Sequence, residues 1–281
     1  MAEKLGNRRV SGDEQFYTPA NLALELTGEA LAQIPGWQER KFLEPAAGTG
    51  AFLQAMRLLG AKDVIAIDKY PKHPDVLQRD YLDFVPDANG LITLSNPPFG
   101  RNNALSIPFF NHAANHSDYI GFLVPRSWRK WSVQNRLDRR FELIFDRDVF
   151  VSYEDELGTP LAAKNELRTC FQIWKKSAGL RAPVLIPDNG FVAKTSPAEA
   201  DVAIRVFGFG CGSVLWDFPR VPNTTLMFLK IQDPRAGELL AELDYQRFTK
   251  NTAYTEALAY TELNYLLNEQ ILGDGQAQKD G

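Results

Sequence analysis

Three short stretches of the 281-residue chain carry residue types that could do chemistry. The first is Glu44-Pro45-Ala46-Ala47-Gly48-Thr49-Gly50, where an apolar strand pattern runs into glycines and then into a helical pattern. Glycine at such a turn lets the backbone bend sharply and approach a ligand closely. The second is Asp68, which ends the apolar run from Val64 to Ile67 and lies 20 residues beyond Gly48. A carboxylate there can accept hydrogen bonds from both hydroxyls of a ribose. A tight strand–helix turn would account for the glycines alone, and the acid at that spacing points to a nucleoside. The turn lacks the third glycine of a dinucleotide fingerprint, and Glu44 ahead of it would repel a pyrophosphate. Both features suit a nucleoside bearing an aminoacyl sulfonium, S-adenosylmethionine rather than NAD.

The third stretch is Ser95-Asn96-Pro97-Pro98-Phe99-Gly100, which follows the apolar run Leu91–Leu94. In a parallel α/β sheet it falls at the carboxyl edge, beside the glycine turn. Pro97 and Pro98 offer carbonyls and no N–H, Asn96 adds a side-chain carbonyl, and Phe99 adds a flat apolar face. Two acceptors and a stacking surface are what an exocyclic amine on a planar base requires. Its nitrogen lone pair is delocalised into the ring, and accepting both hydrogens localises charge on nitrogen as a new bond forms. Positioning that nitrogen in line with a methyl donor supplies much of the rest. No cysteine nucleophile and no metal is demanded. A purely structural Pro-Pro turn is the plainer alternative.

The elements that must hold these stretches are legible. Leu22, Leu26, Ala30 and Ile34 recur at helical spacing after Pro19, and Pro35-Gly36 ends that helix. Strand patterns lie at Phe42–Glu44, Val64–Asp68, Leu91–Ser95 and Tyr119–Pro125, with helical stretches at 51–59, 102–115 and 127–140 between and after them. Strands alternating with helices predict a parallel α/β sheet with right-handed crossovers. Two more strands follow, FELIFDRDVF and RTCFQIWKK, separated by the polar loop 151–167. Residues 178–231 are rich in Pro and Gly, with strands near Val202–Phe207 and Leu226–Ile231, and 236–270 turn helical. The break near Ser177 to Pro183 divides a catalytic domain, 1–177, from a small C-terminal α+β region, 178–281, as a target-recognition or accessory element.

Together these stretches resemble the gamma group of class-I S-adenosylmethionine-dependent adenine-N6 DNA methyltransferases. QFYTP (Gln15 to Pro19) resembles that family's motif X, LEPAAGTGAF its motif I and NPPF its motif IV. VIAID and RDYLDF resemble the motifs between, and IGFLVPRSW the strand that follows. The resemblance covers about residues 15–176 and departs mildly at Ala47 and Thr49 in motif I. It implies a Rossmann-like sheet of about seven strands with helices on both faces, and S-adenosylmethionine as cofactor. It also implies methyl transfer to the N6 amine of an adenine flipped out of duplex DNA. Tyr17 and Thr18 would flank the methionine moiety, Glu44, Ala46 and Gly48 would line the methionine and ribose region, and Asp68 would take the ribose hydroxyls. Asp80 would accept the cofactor adenine's amine, with Tyr81 against its ring. Asn96 and Pro97 would hold the target amine, Pro98 would lie beside it, and Phe99 would stack on the base. Adenine-N6 methylation of RNA and glutamine-N5 methylation of a protein are the alternatives, with YTP favouring DNA and Phe99 in place of tyrosine weighing against glutamine. A non-catalytic binding subunit is a further reading, disfavoured by the intact NPPF and glycine turn.

Charge distribution adds a partner surface. The formal net charge is −4, yet residues 126–140 hold Arg126, Arg129, Lys130, Arg136, Arg139 and Arg140 against the one acid Asp138. That stretch reads as a phosphate-contacting face, or as a solvated helix face with Trp128 and Trp131 packed inward. Residues 232–281 hold nine acids and four bases and suit docking on the body rather than nucleic acid. A separate nuclease or specificity partner would complete a restriction–modification role. His73, His112 and His116 make no metal set, and Cys170 and Cys211 neither follow a proline nor suffice for a disulfide framework. Gly208, Gly210 and Gly212 form either a flexible loop near substrate or a tight β-turn. No apolar run approaches the length of a membrane helix, and the N-terminus lacks an apolar signal core, so a cytoplasmic location is expected.

Overall fold

A computed structural model describes residues 17–161 and 167–279, so Gln15, Phe16 and residues 162–166 lie outside the described residues. Two compact units account for them. The first takes in 17–124, 137–161 and 169–181, and the second 125–136, 167–168 and 182–279.

The first unit is an α/β layer structure around a seven-stranded sheet. Its strands are β1 (Phe42–Glu44), β2 (Val64–Asp68), β3 (Leu77–Gln78), β4 (Leu91–Ser95), β5 (Ser117–Pro125), β6 (Phe141–Val149) and β7 (Thr169–Lys176). Their order is β3-β2-β1-β4-β5-β7-β6. The pairs joining β3, β2, β1, β4 and β5 are parallel, and β6 runs antiparallel to β7. This is the class-I methyltransferase fold, in which the strand order reverses between β1 and β4. The sheet uses period-2 alternation to bury both faces. Tyr119, Leu123, Phe171 and Ile173 share a cluster with helices α1 (Ala20–Gln33) and α2 (Ala51–Leu58). Phe122 and Trp174, of opposite parity, pack edge-on to Phe110 of α3 (Ser106–Ala113) at 6.1 and 5.5 Å.

The helix expected over 127–140 is not continuous. A 3-10 turn covers Arg126–Arg129, a four-residue helix α4 covers Trp131–Gln134, and the chain then leaves helical geometry. Trp128, fully buried, takes its place by packing rather than by helical periodicity. The stretch 102–115 likewise splits into a 3-10 turn, Arg101–Asn103, and α3.

The second unit has a four-stranded antiparallel sheet, order β10-β9-β11-β8, from β8 (Val192–Lys194), β9 (Val202–Arg205), β10 (Val214–Leu215) and β11 (Leu226–Ile231). Helices α5 (Pro234–Leu239), α6 (Gln246–Thr249) and α7 (Tyr260–Leu272) replace the single helical run expected over 236–270. Leu263, Leu266 and Leu267 of α7 pack on Val202, Ile204 and Leu229. No described helix is long and apolar enough to cross a membrane.

In β5, a Cβ added at Gly121 would lie 2.6 Å from Leu94 Cδ2 and 3.3 Å from the Phe171 ring. Gly121→Ala is therefore expected to destabilise the protein by about 1–3 kcal/mol. Urea unfolding checks this, and an unchanged midpoint would show that β4 and β5 can part.

Candidate active site

The strand order places the carboxyl ends of β1 and β4 side by side, and the parallel register Leu43–Thr93 aligns them. Glu44 ends β1 and Ser95 ends β4. Glu44 is 1% exposed. Ser95 Oγ donates to Glu44 Oε1 at 2.5 Å, and the Ala46 N–H donates to the same oxygen at 3.3 Å. The other carboxyl oxygen, Oε2, is equally buried and has no hydrogen-bond partner among the described residues. Burial pushes the Glu44 carboxyl up to about 8, against the lowering effect of Ser95 and Ala46, with Asp68 adding to the rise. At neutral pH this carboxyl is mostly protonated, and a cationic donor placed at Oε2 would draw it into the ionised form.

The glycine turn follows directly. Gly48 and Gly50 have φ of 48° and 83°. A Cβ at Gly48 would lie 2.7 Å from the Tyr17 ring, and one at Gly50 2.9 Å from the His73 ring. Both conformation and space therefore demand glycine. Asp68 Oδ2 accepts the Gly48 N–H at 2.8 Å and Oδ1 accepts the Tyr70 N–H at 2.7 Å. Asp68 thus closes the turn onto the end of β2, and each oxygen keeps a second lone pair for a hydroxyl.

Asn96 joins this cluster from the next stretch. Its Nδ2 donates to Thr18 Oγ1 at 3.1 Å, which orients the amide so that Oδ1 is the atom suited to accept from an amine. Tyr17 is bound to the loop after β6 through a backbone pair with Glu154, 3.2 and 3.1 Å. Lys72 reaches Glu156 of the same loop at 2.6 Å. Phe99 is 8% exposed, and its carbonyl accepts the Leu105 and Ser106 N–H groups, which folds the chain back behind it. Asn102 and Asn103 make that bend at φ of 55° and 61°, a region asparagine enters more readily than other side chains.

Residues from four separated stretches therefore meet: Tyr17 and Thr18, Glu44 to Gly48, Asp68, and Ser95 to Phe99. Asp80 lies beyond β3, where its Oδ1 caps a 3-10 turn by accepting the Leu82 N–H at 3.2 Å and Lys69 stands 3.4 Å from Oδ2. Tyr81 is 2% exposed; its hydroxyl shares a 3.2 Å hydrogen bond with His116 Nε2, and its ring stands edge-on to His112. Burial, reinforced by His112, lowers His116 to about 4, so its neutral ring nitrogen can accept from the phenol. These histidines hold α3 to the chain after β3, where His112 Nε2 also donates to the Phe84 carbonyl. Ser95, given no role of its own in the sequence, is the partner that holds Glu44, and its only signal was a polar side chain closing an apolar strand.

Arg126, Arg129 and Lys130 belong to the second unit. There the Arg126 N–H donates to the Arg168 carbonyl at 2.9 Å. Lys130 Nζ lies 2.9 and 3.1 Å from the two carboxylate oxygens of Glu262, itself 3% exposed. Its ammonium, expected to reach phosphate, is committed to that pair. Trp131 packs on Phe248 and Tyr265 at 5.4 and 5.0 Å, which is the inward arrangement of the tryptophans.

A scan against protein-family models finds no match, and a search of curated proteins finds none. Solved structures similar to the chain include a Pyrococcus horikoshii protein assigned as an RNA methyltransferase. It is 23% identical over 58% of this chain and 87% of that one, with a TM-score of 0.47. The modification subunit of an assigned type I restriction enzyme from Vibrio vulnificus is 15% identical over 60% of this chain and 46% of that one, TM-score 0.43. TrmN from Thermus thermophilus is 21% identical over 56% and 49%, TM-score 0.41.

The buried carboxyl leaves a signature in stability. Because the folded-state value near 8 exceeds the ordinary value of 4.5, Glu44 contributes stability that is present below the ordinary value and lost as pH rises through 8. Glu44→Gln, uncharged at every pH, should gain on the wild type by about 4 kcal/mol between pH 5 and pH 9. Denaturant titrations at the two pH values test this, and a constant difference between them would remove the buried-acid reading.

Proposed function

We propose that the chain is an S-adenosylmethionine-dependent methyltransferase that methylates the N6 amine of an adenine in DNA. The observation that carries this reading is the junction of Thr18, Glu44, Ser95 and Asn96, which couples the glycine turn to the NPPF stretch through hydrogen bonds of 2.5 and 3.1 Å. The donor set fits the cofactor. Glu44 Oε2 awaits a donor such as the methionine ammonium, Tyr17 and Thr18 border the same region, and Ala46 and Gly48 permit close approach. Asp68 offers lone pairs to ribose hydroxyls, and Asp80 an exposed carboxylate to the cofactor's adenine amine. When bound, the cofactor supplies an electrophilic sulfonium methyl group.

The chain's own residues prepare the acceptor. Asn96 Oδ1 and the Pro97 carbonyl accept the two amine hydrogens, which rehybridises the nitrogen and withdraws its lone pair from conjugation with the ring. Phe99 stacks on the base and, with Pro98, fixes its height, so the nitrogen is held for in-line attack. The proton displaced by methylation leaves the methylated nitrogen along one of these hydrogen bonds and passes to solvent. Adenine in a duplex must be flipped to reach them. DNA is favoured over RNA by the YTP stretch, whose Thr18 holds Asn96 directly. Arg126 and Arg129 would contact the phosphate backbone from the second unit, which would serve target recognition with or without a separate specificity or nuclease subunit.

Tritiated methyl transfer from S-adenosylmethionine to unmethylated duplex DNA, total RNA and a protein extract, followed by nucleoside analysis, tests the reading. N6-methyladenine in DNA is the expected product, and label in RNA or protein alone would overturn the substrate. Asn96→Ala should lower turnover at least 100-fold while cofactor affinity by calorimetry changes less than about threefold. Equal losses in both would make Asn96 a cofactor ligand instead.

A further inference from the structure

The second unit carries a feature that methyl transfer in the first unit does not use. The loop Phe207–Gly212 ends in Phe209, which is fully exposed at 101% of its reference surface. Large apolar side chains at a loop tip are costly in water unless something covers them. The loop is not slack. Gly208 N–H donates to the Glu256 carbonyl at 3.0 Å, Cys211 N–H to Gly208 at 3.1 Å and Gly212 N–H to Arg205 at 2.8 Å. Gly208, Gly210 and Gly212 sit at φ of 85°, 75° and 95°, which turns the chain tightly around its aromatic tip. Of the two readings of these glycines, a flexible loop near substrate or a tight turn, the hydrogen bonds and φ values match the tight turn.

Beside the tip lies an open cavity of about 440 Å³, within the range of ligand sites and large enough for a nucleotide. Phe209, Arg168, Lys250, Gln246, Tyr254 and one acid, Glu256, line it, so its cations outnumber its acids two to one. Lys250 makes no ion pair among the described residues. Arg168 is only loosely tied, with Glu256 at 3.8 Å and Thr252 at 3.4 Å. Exposed aromatic rings beside cations, with an amide to one side, are the chemistry that takes a base on a ring face and its phosphate on a cation. Charge complementarity favours a polyanion over an apolar peptide.

We propose that Phe209, with Tyr254, Arg168 and Lys250, forms a nucleic-acid contact in which Phe209 stacks on an unpaired or unstacked base and Lys250 and Arg168 hold the adjoining phosphate. The ligand class rests on the functional reading above, but the surface is tested separately from the chemistry. Fluorescence anisotropy with labelled single-stranded DNA, duplex DNA and RNA of one sequence measures binding without turnover. Phe209→Ala should weaken the preferred ligand about tenfold. Phe209→Trp should retain affinity and show indole quenching on binding. Lys250→Gln should lower the slope of log affinity against log salt by about 1. Because Phe209 is fully exposed, unfolding midpoints of its variants should equal the wild type. Wild-type affinity and salt slope in Phe209→Ala and Lys250→Gln, or no binding of any nucleic acid by the wild type, would overturn the proposal. Binding that follows these expectations without methyl transfer to nucleic acid would support this surface while removing the reading of the first unit.

Discussion

A carboxyl group buried at the end of the central strand sets the terms for the first unit. Glu44 is 1% exposed, accepts two hydrogen bonds on one oxygen and none from the described residues on the other. A buried polar atom without a partner costs on the order of 1–3 kcal/mol. The group answers by holding its proton, since burial raises it to about 8. A fold that needed only a strand end at this position would be better served by an apolar side chain. A hydrogen-bond donor arriving at Oε2 would recover that cost.

What brings the rest of the site to that carboxyl is sheet topology. The contacts that define the site span 20 residues between Gly48 and Asp68, 51 between Glu44 and Ser95, and 78 between Thr18 and Asn96. None of them can form in an isolated segment. They exist because β1 is flanked by β2 and β4 in parallel, so that three strands release their chains at one edge. Each released chain then turns at once, through Gly48, through Tyr70 or through Pro97 and Pro98. The reversal of strand order is thus what brings these three chain turns to one edge of the sheet.

The parts of this arrangement that sequence revealed are those with local causes. β4 and β5 are apolar runs buried on both faces, and α1 has a clear stripe from Leu22 to Ile34. The glycine turn, Asp68 and NPPF carry their chemistry in residue type and spacing. The parts that sequence concealed have causes far along the chain. Ser95 matters only because Glu44 faces it. The short strands β3 and β10 have two residues each, too few to show alternation. Helical periodicity over 127–140 gave way because Trp128 is wholly enclosed and Trp131 is drawn onto Phe248 and Tyr265. Nor does sequence show that the Tyr81 hydroxyl meets His116, 35 residues on.

Electrostatics in the second unit shows why counting charges misleads. The basic stretch and the acidic C-terminal segment appear as opposites in sequence, one for phosphate and one against it. In the folded unit they cancel at their closest point, where Glu262 takes Lys130 with both oxygens while also accepting the Ala259 N–H at the start of α7. A desolvated, doubly bonded pair of this kind fixes geometry and withdraws its cation from any partner. The aromatic residues divide in the same way. Trp128, interleaved with the arginines, is buried, and Trp131, half-buried, leans on Phe248 and Tyr265, while Phe209 projects beside the less constrained Arg168 and Lys250. The surface where a fully exposed aromatic ring stands beside cations is therefore not the stretch richest in basic residues. It is the one where glycines set the backbone and neighbouring acids leave the cations only loosely held.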